Sequence, residues 1–263
     1  GAEIRRSRVR TQDHQVMSAQ EDTFISHLVE LRDRLLRAVV AIAVAFVCLM
    51  PWAGEIYDIL AHPMMQALPE GTRMIATGVV TPFFVPMKVT LLVAFVVALP
   101  FVLYQAWCFI APGLYAHEKR LGLPLVIGST ILFLAGMAFC YFFVFGTVFK
   151  FIAQFAPKSI TPAPDIEQYL AFVMSMFLAF GITFEVPVFV IVLVKLGVVD
   201  VPKLKEARPY VIVGAFIVAA VVTPPDVVSQ LMLAIPMCLL YELGIFLARF
   251  VTKTRADAVA EES

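Results

Sequence analysis

Six apolar runs separated by polar connections constrain this chain more than any other feature. They are Leu35 to Trp52, Val89 to Ile110, Leu123 to Phe149, Tyr169 to Val194, Pro209 to Val222 and Val227 to Phe250. Crossing a hydrocarbon core of about 30 Å takes roughly 20 apolar residues. Backbone groups have no water to bond there, so each run has to be helical. The expected fold is an all-α membrane protein with six transmembrane helices in one domain, residues 17–250. Composition agrees: 61% of residues are hydrophobic, 15% are charged and the mean hydropathy is +0.89, outside the range of soluble domains. The fifth and sixth runs are separated only by "TPPD", whose prolines forbid a continuous helix. The fifth run is short, reaching about 20 Å as a helix. A thinned bilayer and a turn at Thr223 to Asp226 below the surface are both expected in part.

Lysine and arginine set the expected orientation. Seven fall at or before Arg37, two between Ala111 and Gly122, four between Lys195 and Arg208, and three from Arg249 onward. The other face holds only Arg73, Lys88, Lys150 and Lys158, so both termini are expected in the cytoplasm. The first run is too long, and lacks the small-residue cleavage site, for a removed signal peptide; a retained anchor is expected. Gly1 to Val16 is polar and non-periodic and reads as an added extension, with Met17 as the natural start. The tail at 251–263 is expected to be disordered. Between the first two runs, "EIYDILAHPMMQAL" is amphipathic and "TPFFVPMK" reads as an extended, partly buried cover. The proline-rich "APKSITPAPDIE" reads as a stiff crossover on the same face.

Several function classes are excluded. The net charge is zero, so no overall field favours nucleic acid. No H-E-x-x-H, G-x-S-x-G or phosphate-cradling loop occurs, so neither an enzyme nor a nucleotide hydrolase is expected. Cys48, Cys108, Cys140 and Cys238 all fall in apolar runs without C-x-x-C spacing. They read as small buried hydrophobes, and no metal or cofactor is expected.

A few polar residues stand in costly places. Glu185 lies inside the fourth run, where a charge costs about 2.5 to 3.5 kcal/mol on insertion scales. Pro187 follows it, and a kink there would open a polar niche. The acid is either held by a neighbouring helix or serves as a ligand, partner or proton site. Ser229 and Gln230 add polar groups to the sixth run, and Pro100, Pro187 and Pro236 together suggest bent helices around a concave face. Glu30 sits in "FISHLVELRDRLL" at the edge of the first run, four residues before Arg34. That spacing is a local helical ion pair worth about 0.2 to 0.5 kcal/mol. Glu118, beside Lys119 and Arg120, reads by default as a solvated loop acid. Both acids fall on the same membrane face, however, and a carboxylate pair suits the planar guanidinium of arginine.

At these residues the chain resembles a known family. "SHLVELRDRLL", "IAPGLYAHEKR", "FGITFEVPV", "RPYVIVGAF" and "TPPDVVSQLMLAIPM" are similar, in order, to the motifs of the TatC family, the multispanning core of the twin-arginine protein translocase. The resemblance extends from about Met17 to Phe250. It implies a cupped six-helix body and a receptor that, with TatB, binds the twin-arginine motif of export signal peptides. TatA is then recruited, and folded proteins cross on the protonmotive force. It also implies oligomers of TatB–TatC units, docking of the arginine pair on Glu30 and Glu118, and partner or intramembrane roles for Glu185, Asp226 and Gln230. The alternative from the residues alone is a proton-coupled small-solute transporter that uses Glu185, although no repeat halves are visible. A purely structural scaffold is the third class.

Overall fold

The computed structural model describes residues 2–67, 74–110, 119–155, 163–223 and 226–261, with side chains except at 2–24, 64, 119–121, 153, 155 and 251–261. Its helices are α1 (Ala2–Leu49), α2 (Ala53–Ala67), α3 (Thr81–Ile110), α4 (Lys119–Phe139), α5 (Phe145–Phe155), α6 (Ile166–Phe184), α7 (Val186–Lys195), α8 (Val201–Glu206), α9 (Arg208–Val222) and α10 (Val227–Glu261). Among the described residues the only β pairing is a single bridge between Ile75 and Asp165. Five stretches are long and apolar enough to cross a membrane: Ile25–Pro63, Thr81–Ile110, Gly122–Ile152, Ile166–Lys195 and Val227–Phe250. The sixth, α9, has 15 residues and spans only about 22 Å, as its sequence requires.

The spans follow one another laterally. α1 packs on α3, α3 on α4, α4 on α6, α6 and α7 on α10, and α10 on α9. α6 lies at the centre, burying Tyr169, Leu170, Val173, Met176, Phe177 and Phe180. Its crossing with α4 depends on two glycines. A Cβ on Gly136 would lie 2.5 Å from the Phe180 carbonyl oxygen, and one on Gly181 would meet the Phe133 ring at 2.4 Å. Small residues let helix backbones approach where lipid supplies no hydrophobic drive for association. α1 and α9 sit at the margins: Val40, Val44 and Val47 on α1 and Ile212, Val213, Ile217 and Val221 on α9 face outward.

The far connections are tied together. Ile75 N donates to Pro164 O at 3.0 Å, Ile166 N donates to Ile75 O at 2.9 Å, and Thr77 donates through N and Oγ1 to Asp165 Oδ2 at 3.1 and 2.7 Å. Lys88 Nζ meets Glu167 Oε1 at 2.7 Å. Pro63 lies inside α2 and has no N–H for the Ile59 carbonyl; the Tyr141 hydroxyl donates to that oxygen instead at 3.0 Å. Tyr169 donates to the next carbonyl, Leu60 O, at 2.9 Å.

Several expectations need correction. "TPFFVPMK" is not extended but forms the first two turns of α3: Pro82 falls where the missing N–H is unneeded, and Lys88, just before the apolar run, is neutralised by Glu167. The third run is interrupted by a π-turn at Cys140–Val144. α10 runs to Glu261, its last residues free of Gly and Pro and rich in good helix formers. The helix α1 likewise begins at Ala2. Cys48 is exposed on the outer side of α1, whereas Cys108 and Cys140 are buried. Of the three span prolines, only Pro187 accompanies a helix break, whereas Pro100 and Pro236 stay inside α3 and α10.

Candidate functional site

Glu30 lies on α1 just before its apolar run. Two Arg34 donors, Nε at 2.9 Å and Nη2 at 2.6 Å, converge on one oxygen of Glu30, Oε1. The carboxylate side chain keeps 41% of its exposure and the Arg34 side chain 23%. Arg34 also donates through Nη1 to Oε1 of Gln105 at 3.4 Å. Gln105 is a buried side chain near the end of α3. His27 stacks on Phe109 of the same helix, ring centroids 4.4 Å apart. The local ion pair expected from spacing is therefore present, but it belongs to a tertiary contact between α1 and α3. Among the described residues Asp33 is engaged by its neighbour Arg32, at 2.9 Å. Glu118 lies outside the described residues.

Glu185 occupies the break between α6 and α7. Pro187 cannot donate to Thr183 O, the helix loosens at Glu185, and the Glu185 N–H turns to Ile182 O at 3.0 Å. Both carboxyl oxygens are buried and, among the described residues, neither completes a hydrogen bond, although the Ser129 hydroxyl on α4 stands close by. Ser129 is itself bonded: the Trp107 indole N–H donates to its Oγ at 2.8 Å.

Asp226 caps α10. Its Oδ1 accepts from Ser229 N at 2.7 Å and its carbonyl from Gln230 N at 3.2 Å, which satisfies donors that the first helical turn leaves open. Among the described residues Oδ2 of Asp226 and Oγ of Ser229 are buried without partners, and Gln230 is half-buried one turn on. Asp226 and Gln230 thus share one end of α10, but Glu185 is elsewhere. Pro187 lies against Gly244, and the helix from Gln230 to Gly244 is about 21 Å long. The intramembrane polar residues therefore form two sites.

Several residues escaped the sequence reading. Gln105 carried a usable signal, a lone amide within "LYQAWCFI". The Trp107–Ser129 bond carried none, because either residue is ordinary in a span. Nor did the pairing of Arg208 with Glu242 at 2.6 Å, which ties α9 to α10. Among the described residues no group of His, Cys, Asp or Glu could hold a metal ion.

Fold and polar sites define a multi-pass helical membrane protein with carboxylates isolated at one edge and within its spans. Residues 26–236 match the family model described as "Sec-independent protein translocase protein (TatC)". The chain is 51% identical over 231 residues to the Sec-independent protein translocase protein TatC of Haemophilus influenzae, covering 88% of this chain and 90% of that one. Against the Escherichia coli K12 protein of that name it is 50% identical over 232 residues, with the same coverage. A crystal structure of the twin-arginine translocase receptor TatC superposes with a TM-score of 0.76 at 40% identity, covering 86% of this chain and 99% of that one. The chain belongs to the TatC family of Sec-independent protein translocase proteins, multi-pass proteins of the bacterial inner membrane. That membership decides against the small-solute transporter reading of Glu185.

Proposed function

We propose that the chain is the receptor of a twin-arginine translocase and binds the arginine pair of export signal peptides through Glu30 and Glu118. The observation that carries this reading is the state of Glu30. Its carboxylate, half-exposed just before the apolar run, already holds one guanidinium on Oε1 at 2.6 Å, leaving Oε2 for a second. Charge-assisted bonds to a planar guanidinium are stronger and more directional than those to an ammonium, so an arginine pair is preferred to a lysine pair. The basic residues place both termini in the cytoplasm by the positive-inside rule, where signal peptides arrive. TatB and TatA are the partners, in oligomers of TatB–TatC units, and the protonmotive force drives transfer of the folded cargo. No catalytic step is assigned to the chain. Glu185, and separately Asp226 with Gln230, serve partner assembly.

The test is cross-linking of an Arg-Arg signal peptide to the membrane-inserted protein. Glu30→Ala and Glu118→Ala each reduce it while insertion stays intact, and Glu185→Ala spares it but alters assembly with TatA. Unchanged cross-linking in both of the first two variants removes the clamp.

A further inference from the structure

We propose that Trp107 and Ser129 are a positioning pair that couples guanidinium docking at Glu30 to the intramembrane carboxyl of Glu185; this rests on the docking role proposed for Glu30. The last turn of α3 has two working faces. Gln105 and Phe109, one turn apart, meet α1: Gln105 accepts from Arg34 at 3.4 Å and Phe109 stacks on His27 at 4.4 Å. Trp107 lies midway, about 200° around the helix from each. It is buried against Val188 and Val192 of α7, with its ring centroid 6.0 Å from that of Phe189. Its N–H crosses to Ser129 of α4 at 2.8 Å. One turn of α3 therefore touches the docking helix on one side and the segment following Glu185 on the other.

The Ser129 bond differs from those of neighbouring hydroxyls. Thr90, Thr130, Thr147, Ser175 and Thr223 each turn back to a carbonyl of their own helix at 2.7 to 2.8 Å. Ser129 is fully buried and accepts from another helix, so its hydroxyl hydrogen remains available to donate. Beside it stands the Glu185 carboxyl, whose two oxygens are buried and complete no hydrogen bond among the described residues. Accepting from the indole also polarises the hydroxyl and makes it a better donor. An arginine that pulls on Glu30 or displaces Arg34 shifts the turn Gln105 to Phe109. Trp107 moves with that turn, and the donor offered to Glu185 changes. Coupling of this kind is reciprocal, so the state of Glu185 tunes peptide affinity by the same modest factor, while the docking carboxylates themselves, and hence cross-linking in Glu185→Ala, are retained.

The experiment uses the full chain in lipid nanodiscs, with dicyclohexylcarbodiimide labelling of Glu185 followed by mass spectrometry. Labelling is measured without peptide and with a saturating synthetic Arg-Arg peptide, whose binding is followed in parallel by fluorescence anisotropy. The expected result is a change in the Glu185 labelling rate of about fivefold or more on docking. Ser129→Ala and Trp107→Phe abolish that change without abolishing peptide binding, and Ser129→Thr restores it. In a Trp52→Phe background Trp107 is the single tryptophan, and its emission shifts with the same peptide dependence. If the peptide binds and labelling in the unmodified protein does not change, the coupling is overturned while the docking reading stands. Retention of the change in Ser129→Ala also overturns it. If the peptide does not bind at all, the docking reading fails and this inference falls with it. The arm with the unmodified protein decides the matter even if a variant fails to fold.

Discussion

Replacing Arg34 with glutamine tightens binding of an Arg-Arg peptide if Glu30 is its docking carboxylate. In the free protein Arg34 holds Glu30 Oε1 with two donors at 2.9 and 2.6 Å. An incoming guanidinium has to share that carboxylate with a like charge or displace it. The pair is partly solvated, with side-chain exposures of 23% and 41%, so its strength falls in the surface range of about 0.2 to 1 kcal/mol. Since 1.4 kcal/mol is a factor of ten in affinity, removing the competitor lowers Kd by about 1.4- to 5-fold. Glutamine is the right replacement because it removes the charge while keeping a polar, unbranched side chain that suits the helix. Fluorescence anisotropy with Arg-Arg and Lys-Lys peptides measures the effect, at low salt where screening is weakest. In a double-mutant cycle with Glu30→Gln the gain disappears, because the carboxylate through which the two arginines compete is gone. Weaker binding in Arg34→Gln, or an equal gain with and without Glu30, refutes the competition and shows that Arg34 contacts the peptide's site in another way.

Other predictions concern the frame that holds the sites. Tyr141→Phe leaves the Ile59 carbonyl without the donor that replaces the missing N–H of Pro63, costing about 0.5 to 1.5 kcal/mol; a Tm equal to that of the unmodified protein argues against this role. Gly136→Ala is more harmful than Gly181→Ala. A Cβ at 136 meets backbone, Phe180 O at 2.5 Å and C at 2.9 Å, whereas one at 181 meets the Phe133 ring, which can rotate away. Overpacking of the first kind costs about 1 to 3 kcal/mol, and the opposite order of thermal stability in detergent would contradict it. The Thr77 hydroxyl, helped by the Gln168 amide, holds the Asp165 carboxyl below its ordinary range. A depressed carboxyl stabilises above its unfolded value of about 3.9 and loses that contribution as pH falls through the folded value. Hydrogen-exchange protection of the Thr77 and Ile166 amides, corrected for intrinsic rate, therefore persists from neutral pH to about 4 and falls only below it. Loss already near pH 6 would contradict the assignment.

Much of the architecture is legible in the chain because lipid leaves few solutions. Five long runs and one short run became five long spans and α9, and the kink at Pro187 follows from a missing donor. Boundaries are less legible where charge is neutralised at a distance. Lys88 looked like a limit to the second span, and Glu167, far along the sequence, removes that limit. The π-turn at Cys140–Val144 has no proline or glycine to announce it. Among site residues, Glu30 and Glu185 stand out as acids in expensive positions. Gln230 and Glu185 are both polar within spans, but the length of α10 separates them.

The sequence alone determined the all-helical membrane fold, the short fifth span, the pairing of Glu30 with Arg34 and the break at Glu185. Each follows from local chemistry: hydropathy, helical spacing at i and i+4, or a proline without an N–H. Tertiary structure decided what surrounds those residues. It brought Gln105 beneath Arg34, turned the Trp107 indole to Ser129, and left the Glu185 oxygens buried without a hydrogen bond among the described residues. It also set the Asp226 end of α10 apart from Glu185. These relations depend on which helices lie side by side and how closely their backbones approach, as Gly136 and Gly181 allow. No spacing along the chain records them.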